Sequence, residues 1–324
     1  MAEKETKSLR LLSIDGGGIC GMSALLIIRK MMRRIEAEER LSSTPAPHAY
    51  FDMIGGTGTG GIIALMLGRL RMSVDDAIKE YDGFIKAVYV DGRKRRGEEM
   101  FKAEALKEKM RGVVGAYCDG NKDARMVEDA ECKAARATTA HPGHYKPITI
   151  SDGVVNHEYV DAGMGSNNPC RVLLDEAASV YPTRSLGAVV SIGTGRAQTI
   201  GVPVDGVRGR KFLPSDLLDV LRDVAADCER VSEEMEKHFL HYPELYFRFN
   251  VMHGMQSISW DAWDRQSAVA AHTAQYMQIG DVDSRVDWCW ANSDVLGGSY
   301  ACPAKECWHD QGYPSSFSQF HWQE

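Results

Sequence analysis

The apolar positions of this chain follow two alternating rhythms. Short continuous runs at residues 9–14, 51–54, 188–192 and 246–251 have the length of strands buried on both faces. Residues 145–150 and 157–161 read as two further strands. Between them the apolar residues recur every three to four positions. Leu25, Ile28, Met32 and Ile35 fall on one helical face, with Arg29, Lys30, Arg33 and Arg34 around it. Similar patterns cover residues 171–179, 214–238 and 260–277. Ser73, with Asp75 and Asp76 just after it, predicts the capped start of another helix. Strands alternating with helices predict an α/β fold: a mainly parallel central sheet with helices on both faces.

Two stretches leave this rhythm. Residues 91–132 are charged, Gly-containing and weakly periodic, and predict a surface insertion with a helix near 99–110. Residues 280–324 hold four of the six tryptophans, Trp288, Trp290, Trp308 and Trp322, with little periodicity. They predict a tail that packs on a domain spanning residues 1–279.

Composition narrows the function. The net charge of −7 argues against nucleic acid as a partner. The basic run Arg93-Lys94-Arg95-Arg96 is followed by Glu98 and Glu99, which suits a solvated loop better than a binding patch. The first seven residues are charged and unlike a secretory signal, and no apolar run reaches the length of a membrane span. The expected location is the cytoplasm. There the eight cysteines are expected to be reduced thiols.

Candidate chemistry sits in three loops. Gly16-Gly17-Gly18-Ile19-Cys20-Gly21 joins a strand to a helix and formally matches a dinucleotide fingerprint. The acidic residue that fingerprint requires falls at Glu38 or Glu39, inside a helical stretch, so an oxyanion-binding loop is the better reading. Gly56-Thr57-Gly58-Thr59-Gly60 has the layout of a nucleophile elbow, G-x-S-x-G, but with Gly58 in place of the serine. Its neighbours Thr57 and Thr59 point elsewhere in so tight a turn. Asp161-Ala162-Gly163 follows a predicted strand, where a carboxylate can reach back to the elbow.

These loops, with Ala135-Arg136-Ala137-Thr138, Asn167-Asn168-Pro169 and Ser191-Ile192-Gly193-Thr194-Gly195, resemble patatin-like phospholipases over roughly residues 9–277. The stretch 67–73 is similar to the fungal-type branch. The resemblance implies a three-layer α/β/α fold and a Ser–Asp dyad acting on acyl esters, with a lipid or acyl-containing partner. It requires neither metal nor organic cofactor, and lipid-active relatives suggest contact with a membrane surface. Four departures surround the expected site. Gly58 stands at the nucleophile position, Cys20 where the family has arginine, and Ala162 where it has glycine. His141 and His144 enter the loop after Ala135-Arg136-Ala137-Thr138.

The expected site is therefore Asp161 as base, Gly58 as a nucleophile position without a side chain, and His141 or His144 as partner acid or base. Gly16, Gly17, Gly18, Cys20 and Thr59 are expected to bind the oxyanion or ligand. Non-covalent acid–base chemistry on an acyl, lactone or polyketide-like ligand is the expected activity. The alternatives are a phospholipase inactivated by serine-to-glycine change and a lipid-binding pseudoenzyme. Cys20 as a substitute nucleophile is weighed against simple packing, and packing is preferred. Cys302, Cys307, His309 and His321 lack a standard zinc spacing, so no metal site is expected.

Overall fold

The structure is a computed structural model. It describes residues 7–94, 100–117, 133–141, 144–151, 153–163, 165–195 and 227–291. Cys302, Cys307, His309 and His321 of the tail, residues 95–96 of the basic run and the start of the helix expected at 214–238 lie outside these.

A four-stranded, all-parallel sheet forms the centre, in the order β2-β1-β5-β6. Its strands are β1 (Leu9–Ile14), β2 (Met53–Gly56), β5 (Leu186–Ile192) and β6 (Tyr246–Phe249). Every residue of β1, β5 and β6 is buried, as a strand covered on both faces requires. β3 (Ile148–Ser151) and β4 (Asn156–Tyr159) do not join this sheet. They pair antiparallel as a separate hairpin. The short connection between them permits a hairpin but not a parallel crossover.

Eight helices complete the described fold: α1 (Gly21–Glu38), α2 (Thr59–Ala64), α3 (Val74–Ile85), α4 (Ala103–Tyr117), α5 (Cys170–Val180), α6 (Glu229–His238), α7 (Gln266–Tyr276) and α8 (Gly280–Ala291). A short helical turn at 133–138 precedes the histidine loop. Leu12 and Ile14 face a large core built with α1, α2, α3 and α7. Leu9 and Leu11 face a smaller one built with α5 and α6. The period of two in β1 thus divides the molecule into three layers. Ser73 caps α3 as expected, accepting the Asp76 N–H at 3.1 Å.

Two boundaries differ from the pattern reading. In α4, Leu106, Met110, Val113 and Val114 are buried in the large core, so this part of the stretch read as a surface insertion is structural. These four residues recur at three- to four-residue spacing, a signal that the surrounding charges obscure. At the other end, Val282, Val286 and Cys289 of α8 pack into the same core, and Arg34 of α1 reaches Asp283 and Asp287. The described part of the tail is continuous with the domain, and its Trp288 stays exposed.

One charged pair ties the sheet to the loop that follows β1. Ser13, Ser191 and Arg248 occupy matching register positions on β1, β5 and β6. Arg248 donates to both oxygens of Asp15, at 3.0 and 2.6 Å, and to Ser191 Oγ at 2.9 Å. Both partners are buried. Burial opposes the guanidinium charge, but Asp15 more than offsets this and raises the Arg248 pKa. A bidentate pair in a dry interior fixes orientation as well as charge. Removing one partner strands the other: Arg248→Ala is expected to cost about 3–5 kcal/mol of stability. Denaturant unfolding should also show that Asp15→Ala with Arg248→Ala costs less than the two single changes added together.

Candidate functional site

The carboxyl ends of β1, β2 and β5 lie side by side. The chain goes from β1 to β2 on one side, while β5 lies on the other. A reversal of this kind opens a crevice at the strand ends, where open α/β sheets bind ligands. The glycine loop after β1, the elbow after β2 and the 191–195 loop after β5 all end there.

The elbow backbone has a conformation that matters for the chemistry. Gly58 lies at φ 57°, ψ −125° as the N-cap of α2. That region is strained for residues bearing a Cβ and free for glycine. A Cβ placed on Gly58 would lie 3.5 Å from Oδ2 and 3.9 Å from Oδ1 of Asp161, and 3.7 Å from Cα of Gly16. These are ordinary contacts, so the position has room for a small side chain aimed at the carboxylate. The strand-to-helix turn is fully formed with no side chain at its tip. Neither adjacent threonine supplies one. Thr57 Oγ1 donates to the Ser166 carbonyl at 2.8 Å, and Thr59 Oγ1 to the Gly18 carbonyl at 3.3 Å. Thr59, expected to bind ligand, instead braces the glycine loop, together with the Tyr81 hydroxyl that donates to the same carbonyl at 2.6 Å.

Asp161 lies just beyond β4 and is buried. Its N–H donates to the Ala140 carbonyl at 3.1 Å, and its Oδ1 accepts the Gly163 N–H at 2.8 Å. Among the described residues no cation pairs with it. Burial therefore dominates, and the carboxyl pKa is pushed up to about 6, with the Gly163 N–H pulling the other way. A carboxylate of this basicity exchanges protons close to neutral pH, as a general base must. Ala162 is exposed, so its methyl group, where the family has glycine, disturbs nothing.

The glycine loop is held on three sides. Gly16 N–H donates to the Asn167 carbonyl at 3.2 Å, Thr194 Oγ1 donates to the Gly16 carbonyl at 2.9 Å, and Ile19 N–H donates to the Trp260 carbonyl at 2.8 Å. Gly18 lies at φ 58°, and a Cβ there would fall 2.1 Å from the Trp260 oxygen, so only glycine fits. The Gly17 and Gly18 N–H groups have no partner among the described residues. They are the two donors this loop can offer an anion. Gly16 binds no ligand through its N–H, because Asn167 takes it.

Cys20 and the two histidines make contacts of their own. Cys20 N–H is spent on the Gly17 carbonyl, and its side chain is buried in the large core. Burial pushes the thiol up to about 12, so Cys20 offers the site neither a thiolate nor a donor. His141 and His144 stack on each other at 4.1 Å, and His144 stacks on Trp260 at 4.0 Å. Their loop adjoins Ala140, which holds Asp161, but neither imidazole is bonded to the carboxylate. Their stack lies against Trp260, whose carbonyl accepts the Ile19 N–H of the glycine loop. Asn167, Thr138 and Trp260 hold the site together and were not picked out as site residues. Asn167 and Thr138 lie in motifs noted in the sequence, whereas nothing in the sequence marks Trp260. No group of His, Cys, Asp or Glu among the described residues is arranged to hold a metal.

A three-layer α/β/α domain with a glycine loop and an elbow at the ends of adjacent parallel strands is the arrangement that the resemblance to patatin-like phospholipases implies. Residues 12–128 match the family model for patatin-like phospholipase, which supports that family for the chain. The human calcium-independent phospholipase A2-gamma is 27% identical over 289 residues, covering 75% of this chain and 35% of that protein. The probable inactive patatin-like protein 9 of Arabidopsis thaliana is 26% identical, covering 68% of this chain and 70% of its own length. The cGAMP-activated phospholipase of Vibrio cholerae is 24% identical over 58% of this chain. The chain spans about a third of the length of the mammalian relatives that it matches.

The raised carboxyl has a thermodynamic consequence. An acid whose folded pKa lies above its unfolded value adds stability that is fully present below about pH 4 and is lost as pH rises through about 6. Asp161→Asn removes this dependence. Relative to wild type, the variant should gain on the order of 3 kcal/mol between pH 4 and pH 7 in paired denaturation curves. A constant difference across that range would show that the carboxyl titrates normally.

Proposed function

We propose that this protein acts on an acyl ester or lactone without forming an acyl-enzyme, with Asp161 as general base. The observation that carries this reading is the pairing at the elbow. The Gly58 backbone holds the nucleophile conformation, yet among the described residues no hydroxyl lies between a Cβ placed there and the Asp161 carboxylate. Gly17 and Gly18 would stabilise the oxyanion through N–H groups that have no partner among the described residues. Water loses a proton to Asp161 as its oxygen bonds to the carbonyl carbon, and the carbonyl electrons move onto the oxyanion. Collapse re-forms the carbonyl and breaks the ester bond. The departing oxygen takes the proton from Asp161, leaving a carboxylic acid and an alcohol.

The phospholipases among the relatives make an acyl lipid the favoured ligand class, and polyketide-like lactones share its carbonyl chemistry. In this reading the protein works in the cytoplasm, at or near a lipid surface. Loss of the covalent nucleophile in a well-formed hydrolase can remove about a million-fold in turnover, while the oxyanion hole and binding retain roughly a thousandfold over water. Slow turnover is therefore expected. The similarity to a plant protein named as probably inactive favours a second reading, in which the site binds an acyl lipid and does not turn it over.

Release of p-nitrophenol from p-nitrophenyl butyrate, together with native mass spectrometry on phosphatidylcholine, separates these readings. Asp161→Asn should abolish turnover and leave lipid binding intact. Binding without turnover in both proteins would support the second reading. Gly58→Ser should gain labelling by a fluorophosphonate probe, because the added Cβ points at Asp161. A revertant that does not label would show that the elbow and the carboxylate are out of register.

A further inference from the structure

One short segment holds both halves of the candidate site. At the end of the helical turn 133–138, Thr138 Oγ1 accepts the N–H of Gly58 at 3.0 Å. Two residues later, the Ala140 carbonyl accepts the N–H of Asp161 at 3.1 Å. The spacing between the elbow tip and the carboxylate is therefore set by residues 138–140. Thr138 also fits tightly against α2: a Cβ on Gly61 would lie 2.5 Å from its Oγ1 and 3.0 Å from its Cγ2. The Gly58 N–H, spent on Thr138, is not an oxyanion donor.

A threonine hydroxyl is one donor as well as an acceptor. Thr138 accepts from Gly58, and its own proton has no acceptor among the described residues. The residue is half-buried, so this donor is not sealed in the core. Beside the same glycine, a Cβ would meet Oδ2 of Asp161 at 3.5 Å. The space at Gly58 thus has a free donor on one flank and a strong acceptor on the other. Water needs both to be held with its lone pair turned toward a substrate carbon.

We propose that the Thr138 hydroxyl and the Asp161 carboxylate together hold a water at Gly58, where a nucleophile side chain would otherwise sit. This inference rests on the reading of Asp161 as base. In the step itself, the water gives one proton to Asp161 as its oxygen bonds to the carbonyl carbon. Its other proton stays on that oxygen, and Thr138 keeps its own proton throughout. Thr138 is a positioning residue: it donates a hydrogen bond that orients the water and undergoes no chemistry. Its branched Cβ restricts the side-chain rotamer, which suits a fixed donor better than a serine would.

High-resolution crystal structures of the wild type, Thr138→Ser and Thr138→Val test this directly. The wild type and Thr138→Ser should show an ordered water within hydrogen-bond distance of both Oγ at 138 and a carboxylate oxygen of Asp161. Thr138→Val should lose that water while Gly58 keeps its positive φ. On p-nitrophenyl butyrate, Thr138→Val should lower kcat roughly ten- to a hundredfold with KM unchanged, and Thr138→Ser should restore it. A wild-type structure without the water overturns the proposal, as does a Thr138→Val structure that retains it. The wild-type map decides even if the valine variant does not fold. Full turnover by Asp161→Asn would instead remove the reading of Asp161 as base, a failure that the water positions do not share.

Discussion

The chain must turn from β2 into α2 through a residue at φ 57°, ψ −125°, and the rest of the site is built around that turn. Its tip is held by Thr138, and Asp161, whose carboxylate it faces, donates its backbone N–H to the Ala140 carbonyl two residues away. Thr57, on the rising side, ties the turn to the Ser166 carbonyl, in the segment that leads to Asn167. Asn167 in turn takes the N–H of Gly16. Glycine meets the backbone demand at no steric cost, whereas a side chain there would carry strain. A fully formed elbow is therefore compatible with glycine at its tip.

The frame has a second anchor at some distance. Asp15 begins the glycine loop, and Arg248 reaches it from β6, two strands away. A buried pair of this kind is weak evidence for net stability, because desolvation offsets much of the attraction. Its contribution is orientation. It fixes where β1 ends, and with it the direction in which the Gly17 and Gly18 N–H groups point. Asp161, by contrast, has been left without a cation. Burial raises the pKa of both carboxyls, but the Arg248 guanidinium works against it at Asp15, whereas only the Gly163 N–H does so at Asp161. Two buried carboxylates near one crevice thus take different roles because one has a guanidinium partner.

Much of this was legible in the residues. The run at 9–14 is β1 with the expected bounds, and Ser73 caps α3 as the pattern requires. The family wording placed the glycine loop, elbow and Asp161 together before any geometry was known. What pattern could not give was pairing. Residues 148–151 and 156–159 look like any other strands, and only the short connection between them excludes a place in the parallel sheet. The core positions of α4 were hidden among charges, and α8 was masked by its polar, tryptophan-bearing sequence. Cys20 and the two histidines sit at suggestive positions, but burial silences the thiol, and the imidazoles stack on each other with His144 against Trp260. Arg248 is a single residue far along the chain, and no local signal connects it to Asp15.

The account turns on whether ester cleavage at this elbow proceeds without a covalent intermediate. Rapid-quench intact-protein mass spectrometry during turnover of p-nitrophenyl butyrate measures this directly. The account predicts that butyrate accumulates while the protein keeps its unmodified mass at every time point. A protein species heavier by one butyryl group, formed and consumed as product appears, would contradict it.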